Sequence, residues 1–407
     1  MRDTVPIPLN GWRRAPLTEL ADVLFSGVDK KSAPNEMPVR LCNYVDVFHN
    51  HQIDGRIDFM EATATEREIA KFQLRRGDVV FTKDSETAEE IAEPAYVAED
   101  LYRVLCGYHL GIARPRKGVD GRFLYYAMKE PHTRRQFIRA ANGVTRFGLT
   151  LHAIGSVLIP KPTLDEQRHI GEVLSTWDAA ARDTSMLRQQ LAAMYEAVAA
   201  RCVRFRGPNM RSLGDFLGPD KMQTVVPNGP FRALGVRSHG KGTFQRIDDL
   251  AALGSNKTVY RIEPNRFVVN IVFAWEGAAA ITSEKDAGCL ASHRFPTFAI
   301  NEKLLNPDYF RHMIRMKPFH QLLALASPGG AGRNKTLNRS DFLKFAVHVP
   351  PMPEQRRAAA ALSTLDRRLS LLDRYFEQLT AQRDSLAAAL LAGRLQVPRV
   401  VGASVEN

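Results

Sequence analysis

Cysteine is scarce in this 407-residue chain, and its four copies, Cys42, Cys106, Cys202 and Cys289, stand far apart. No Cys-x-x-Cys pair and no nearby histidine accompanies them, which argues against a zinc site or a disulfide framework and fits reduced thiols in a cytosol. The eleven histidines form no His-Glu-x-x-His pattern and no i, i+4 helical pair suited to zinc. His109 and His293, each ahead of a β-rich run, read as core or turn residues. No stretch reaches the roughly 18 consecutive apolar residues of a membrane-spanning helix. Met1-Arg2-Asp3-Thr4-Val5-Pro6 leads into no apolar signal segment, so the expected location is cytoplasmic and off the membrane.

Several catalytic signatures are missing too. An amino-methyltransferase needs Asn or Asp followed by Pro-Pro and an aromatic, yet the only Pro-Pro is Pro350-Pro351, between Val349 and Met352. Gly235-Val236-Arg237-Ser238-His239-Gly240-Lys241-Gly242 approaches a phosphate loop but has Gly242 where Ser or Thr would hold magnesium, and no clear helix follows. Pro219-Asp220-Lys221 lacks the downstream Glu-x-Lys that a magnesium-dependent nuclease would place on a strand. The expectation is therefore no catalytic residue, no metal site and no cofactor on this chain.

What is present is bulk, positive charge and a repeat. With 44% hydrophobic and 25% charged residues, the chain can fill two or three globular domains. The net charge of +12 favours a polyanionic partner, because neutralising phosphates releases counterions. Most informative is a passage that occurs twice: Val157-Leu158-Ile159-Pro160-Lys161-Pro162-Thr163-Leu164-Asp165-Glu166-Gln167-Arg168 and Val347-His348-Val349-Pro350-Pro351-Met352-Pro353-Glu354-Gln355-Arg356. At the same offset, Leu174-Ser175-Thr176 and Asp178 return as Leu362-Ser363-Thr364 and Asp366. A fixed offset across a strand, a proline turn and a helix means a duplicated unit.

Each Glu-Gln-Arg opens a long segment free of proline and nearly free of glycine, from Asp165 to about Arg204 and from Glu354 to about Leu391. At 1.5 Å per residue these are rods of about 55–60 Å. Trp177, Thr184, Leu191 and Val198 recur every seven residues in the first, and Leu365, Leu372, Leu379 and Leu386 in the second. Leu362, Leu369, Phe376 and Leu390 complete a three-four alternation, the pattern of a coiled-coil seam. Trp177, Leu191, Val198, Leu365, Leu372, Leu379 and Leu386 are the candidates for helix pairing.

Ahead of each rod lies a stretch of β-rich runs and turns followed by a helical segment. Val39 to Tyr44, Val79 to Thr82, Tyr108 to Ala113 and a helix from Arg122 to Ala141 precede the first. Phe231 to Val236, Phe267 to Trp275, Phe295 to Ile300 and a helix from Pro307 to Ala326 precede the second. Small-residue loops follow, Asn142 to Leu149 and Gly329 to Leu337. Glycine permits close backbone approach to phosphate, and Arg146, Arg333, Asn334 and Lys335 supply donors for phosphates or base edges. Thr82, Lys83, Arg237, His239 and Lys241 complete the candidate DNA-binding set; the competing reading is of ordinary exposed connections.

The two Pro-led Glu-Gln-Arg helix starts, Gly11-Trp12, Arg76-Gly77-Asp78-Val79-Val80-Phe81 and the glycine-rich loop before each final strand resemble the specificity subunit of type I DNA restriction-modification systems, over essentially the whole chain. Asn265-Arg266-Phe267-Val268-Val269 departs from the pattern by lacking Gly-Asp. The resemblance implies an α+β protein with two α/β target recognition domains alternating with two long helices that form an antiparallel coiled coil of pseudo-twofold symmetry. The implied segments are 1–160, 161–206, 207–350 and 351–397, then a tail over 398–407. It implies a non-catalytic reader of a bipartite site in double-stranded DNA, whose helices set half-site separation and dock two modification subunits, with the seven helix-pairing candidates from Trp177 to Leu386 as the candidates for that docking too. Those partners would carry S-adenosylmethionine and methylate adenine. Restriction subunits carrying ATP and Mg, which translocate and cut DNA, are further implied partners. The rival readings are a coiled-coil scaffold that binds protein and a degenerate methyltransferase or nuclease.

Overall fold

Two proline-led helices dominate the computed structural model, which describes residues 11–208, 210–249, 251, 258–329 and 335–395. The first rod is Leu164–Cys202 and the second Met352–Leu391, 39 and 40 residues long. The first starts with a capping box: the Glu166 carboxylate accepts from Thr163 N and from Thr163 Oγ1, both at 2.8 Å, satisfying a free donor of the opening turn. The chain divides into two compact units, Met1–Ser185 with Tyr375–Asn407, and Met186–Arg374. These units cut across the rods, and each takes one half of both.

In the first unit, strand Arg13–Pro16 pairs antiparallel with Leu158–Lys161, the strand that leads into the first rod. A five-stranded sheet has the order Ala21–Phe25, Leu110–Pro115, Val79–Thr82, Pro94–Val97, Gln52–Ile53. A three-stranded sheet joins Met60–Ala64, Met37–Cys42 and Val104–Cys106. Successive side chains on a strand face opposite ways. Val79 and Phe81 accordingly enter a core with Phe123, Tyr126 and Phe137, while Val80 enters another with Leu41, Phe59, Leu105 and Ile112. The first of these cores also takes in Ile170 and Leu174 of the first rod and Leu386, Leu390 and Leu391 of the second. Arg383 Nε donates to Asp178 Oδ1 at 2.8 Å beside it, so the two half rods run antiparallel.

The second unit repeats the order. Strand Arg211–Ser212 pairs with Ala346–Val347 ahead of the second rod. A four-stranded sheet runs Leu217–Pro219, Thr297–Ile300, Arg266–Val269, Ala279–Ile281, and a five-stranded sheet runs Thr224–Val225, Val259–Arg261, Leu290–Ala291, Phe231–Val236, Thr243–Asp248. Phe267 and Val269 face the core shared with the rods, and Val268 faces the second, smaller core. Leu191, Tyr195, Val198 and Ala199 meet Leu362, Leu365 and Leu369 in that shared core, and Arg188 Nε donates to Asp373 at 2.7 Å. The half rods are again antiparallel. Among the seam candidates, Trp177 and Leu372 are half-buried and Leu379 is buried.

Two expected helices are each broken in two. Arg122 to Ala141 is Gly121–Lys129 followed by Pro131–Ala140. Pro131 disfavours helical backbone at Glu130, whose ψ is 133° and whose carboxylate caps Thr133 N. Pro307 to Ala326 likewise divides into Pro307–Ile314 and Lys317–Leu325, with Pro318 in the first turn of the latter. The run from Phe267 to Trp275 is strand only to Val269, after which the chain turns.

Candidate nucleic-acid interface

The glutamine of each Glu-Gln-Arg is a bracket between rod and globule. Gln167, 1% exposed, accepts from Asp120 N at 2.9 Å through Oε1 and donates to Pro162 O at 3.0 Å through Nε2. Gln355, also 1% exposed, accepts from Asn306 N at 2.8 Å and donates to Pro350 O at 2.8 Å and Leu304 O at 2.9 Å. Asp120 and Asn306 in turn cap the matching helices Gly121–Lys129 and Pro307–Ile314, at Phe123 N and Tyr309 N. The repeated motif thus fixes how a globule is seated on its half rods, and a primary amide suits the task because it donates and accepts at once.

In the first unit the loop after Pro131–Ala140 is closed by two backbone bonds, Asn142 N to Gly148 O (3.0 Å) and Gly148 N to Asn142 O (2.9 Å). Gly143, at φ +144°, lies so close to the Arg146 carbonyl that a Cβ would sit 1.8 Å from its oxygen. Only glycine fits, and the turn holds Val144, Thr145 and Arg146 out in solvent. Phe147–Gly148 then pairs with Asp84–Ser85, and Leu149 N donates to Lys83 O. Arg146 and Lys83 are thereby brought to one surface. Lys83 Nζ donates to Ser26 O at 3.1 Å and lies 4.6 Å from the ring centre of half-exposed Tyr108, a cation set on an aromatic platform.

Beside them is a cleft of about 420 Å³ lined by Tyr44, Asp84, Glu86, Glu90, His109 and Arg146, among others. His109 Nδ1 is 2.9 Å from Asp84 Oδ2. Burial, then the nearby Glu90, Glu86 and Glu93, raise the Tyr44 phenol, so it remains a donor. Carboxylates next to a cationic loop repel backbone phosphate and accept from exocyclic amino groups, such as N4 of cytosine. Sequence reasoning missed Tyr108 and this acidic wall; the Tyr108-His109 pair ahead of a strand was the available signal.

Thr82 does not belong to this surface. It is fully buried, its hydroxyl donating to Glu90 O at 2.8 Å and accepting from Glu93 N at 2.9 Å, which fixes the crossing of strand and turn.

The second unit gathers its cations on a hairpin tip. Between Phe231–Val236 and Thr243–Asp248 the turn carries exposed Arg237, His239 and Lys241, with positive φ at His239, Gly240 and Gly242. Arg237 lies over the Phe244 ring at 5.1 Å. His239 N and Gly240 N donate to Glu276 O and Gly277 O, and Ser238 Oγ to Glu276 Oε2, tying the tip to the turn that holds Trp275. Lys335 Nζ stands 5.2 Å from the Trp275 ring centre. Arg333 and Asn334 lie outside the described residues. Each unit therefore presents lysine on an exposed or half-exposed aromatic beside a loop with arginine, the pairing used on phosphates and bases.

The described residues contain no cluster of three or more His, Cys, Asp or Glu able to hold a metal, and no helix long and apolar enough to cross a membrane. Cys42 and Cys106 are buried opposite one another in register, and burial raises both thiols far from thiolate formation.

Residues 42–191 and 257–381 match the type I restriction modification DNA specificity domain. A curated relative, provisionally named as the type I restriction enzyme MjaX specificity subunit of Methanocaldococcus jannaschii, is 21% identical over 95% of this chain and 94% of its own. The crystal structure of the type I restriction-modification S subunit from M. genitalium superposes with a TM-score of 0.58 at 14% identity, covering 96% of this chain and 98% of that one. The HsdS subunit from Thermoanaerobacter tengcongensis covers 97% and 100%, at 16% identity and a TM-score of 0.44.

Proposed function

We propose, from the premise that this chain belongs to the type I restriction-modification DNA specificity family, that each of its units reads one half of a bipartite target in double-stranded DNA. The observation that carries this reading is the duplicated bracket at Gln167 and Gln355, which seats two globules with unlike surface loops on equivalent half rods. A shared frame with different loops suits two different half-site sequences. In the first unit Lys83, Arg146 and the acidic cleft face the duplex; in the second the Arg237–Lys241 tip and Lys335 do so.

The chemistry belongs to partners. Two modification subunits carrying S-adenosylmethionine would methylate adenine, and restriction subunits with ATP and Mg would translocate and cut, all in the cytoplasm. Met186, Leu187, Met194 and Leu371 are each half exposed or more on the rods of the second unit. Large apolar side chains grouped on a helical surface mark a protein interface, and these are the residues assigned to modification-subunit docking. They lie off the seam formed by Leu191, Val198 and Leu365.

Methylation-sensitive long-read sequencing of a host with and without the gene tests the proposal. The expected result is loss of one two-part adenine motif. Exchanging residues 211–349 for those of a relative should alter one half of that motif and leave the other; a change in both halves would refute one unit per half-site.

A further inference from the structure

In each unit a side chain of the globule bridges to the rods; in the first a cleft stays open beside that bridge, and in the second the bridge is His312. His312 bonds on both sides there, Nδ1 with Tyr195 Oη at 2.9 Å and Nε2 with Ser363 Oγ at 3.0 Å. The matching helix caps place Tyr126 at the position of His312, with Tyr125 one residue before it, and the duplication places Ser175 at that of Ser363 and Arg383 at that of Tyr195. Tyr126 Oη donates to Asp178 of the first rod at 2.6 Å, so the bridge is rebuilt with other partners and leaves Tyr125 and Ser175 out of it. Ser175 Oγ donates to Glu172 O within its own helix, Arg383 is held by Asp178, and the Tyr125 hydroxyl is buried with no partner in a residue only 3% exposed. What remains is a cleft of about 350 Å³ lined by Tyr125 and by polar side chains.

Its charge is one-sided. Asp178 is the only carboxylate in the described lining, and it is already engaged by Arg383 at 2.8 Å and by Tyr126 Oη at 2.6 Å. Arg182 donates to the neutral Gln52 amide at 3.2 Å, and Arg122 forms no ion pair among the described residues. Two guanidinium forks without a carboxylate match a phosphate, and the rings of Tyr96, Tyr125 and Tyr126 offer flat apolar walls. The volume lies at the small end of ligand pockets. A buried hydroxyl with no partner is what a bound polar group would satisfy.

We propose that this cleft binds a nucleoside monophosphate or a molecule of that chemistry, with Arg122 and Arg182 on the phosphate, the ring system against the tyrosines and Tyr125 Oη donating to the ligand. The site is separate from the loops assigned to DNA.

Calorimetric titration of the full chain with 5′-AMP, adenosine and inorganic phosphate tests it. AMP should saturate at one site, with adenosine and phosphate each at least tenfold weaker. Arg122→Gln and Tyr125→Phe should each weaken AMP at least tenfold while leaving affinity for target duplex unchanged. Tyr125→Phe should also keep its melting temperature, because it removes only an unpartnered hydroxyl. Absence of AMP binding to the parent chain, equal binding of phosphate alone, or insensitivity to both substitutions would overturn the proposal. Competitive displacement of AMP by the target duplex would overturn it as well, by assigning the cleft to DNA.

Discussion

The two units are the same design executed with different chemistry, and the clearest case is the strand at the centre of each. In the first unit Gly77 takes a left-handed turn at φ +96°, and buried Asp78 then binds Arg114 at 2.8 and 2.9 Å. The second unit has Asn265 at φ +57° in the equivalent place, followed by Arg266, which binds Asp220 at 3.1 Å. Asparagine is among the few residues besides glycine that adopt this conformation readily. The turn survives, while the charge that follows it is reversed and finds its partner at another place in the unit. Backbone conformation is what the duplication retained here, and side-chain identity was free wherever another partner could be found.

The cores differ more. Phe267 touches the rings of Phe298, Phe310, Phe319 and Phe342, with centroids 5.2 to 6.1 Å away. Its counterpart by the repeat is Val79. Phe267→Ala should therefore cost about 3–5 kcal/mol of unfolding free energy and Val79→Ala roughly 2 kcal/mol, measured by urea denaturation. Equal costs would mean that the aromatic cluster adds nothing beyond burial.

Acid should separate the units next. Burial and neighbouring Arg315 push the His312 imidazole down to about 4. The unfolded chain takes up a proton at about pH 6.5, so the stability held by neutral His312 is complete above that pH and is lost as pH falls towards 4. The loss amounts to roughly 3 kcal/mol. Comparison of the parent with His312→Gln between pH 7 and 4.5 isolates it, since the variant lacks this part of the slope. Tyr126 at the equivalent position adds no titration in that window, its phenol being pushed further up by burial.

The brackets should behave alike. Gln167→Ala and Gln355→Ala each leave buried backbone donors and acceptors unpaired, a loss of about 1–3 kcal/mol apiece. Unequal values by more than that range would break the equivalence of the two seats. The smallest effect should be at the turn, where Gly77→Ala has open space for its Cβ and costs only the left-handed backbone penalty of about 1–2 kcal/mol. Asn265→Gly should change stability by a few tenths of a kcal/mol.

Much of this architecture was legible in the sequence because it is periodic. The seven-residue steps through Leu191, Val198 and Leu365 identified seam positions now found in a shared core. The strands Val79–Thr82 and Phe231–Val236 fall where the β-rich runs placed them. Proline-split helices were less visible, since apolar spacing continues across Glu130-Pro131 while the backbone does not. The surface was the least readable. Thr82 and Lys83 are neighbours in sequence, yet one is sealed in a turn and the other lies on Tyr108, a difference of strand face that composition cannot express. The bracket role of Gln167 was hidden for another reason: its partner Asp120 N is a backbone group, invisible to any motif of side chains.

Because each rod is shared, the first unit is interrupted in the chain by the whole of the second, from Met186 to Arg374. A ribosome releases the polypeptide in order, at about 5–20 residues per second. The part of the cover over Ile170 and Leu174 that Leu386 and Leu390 supply therefore emerges only after the second unit has been made. The second unit has both its half rods within one uninterrupted stretch and can close first. Newly made chains should pass through a state with one finished unit and one exposed apolar stripe, a state that calls for a chaperone or a partner subunit to shield it. The interleaving that ties the molecule together thus also sets its order of assembly.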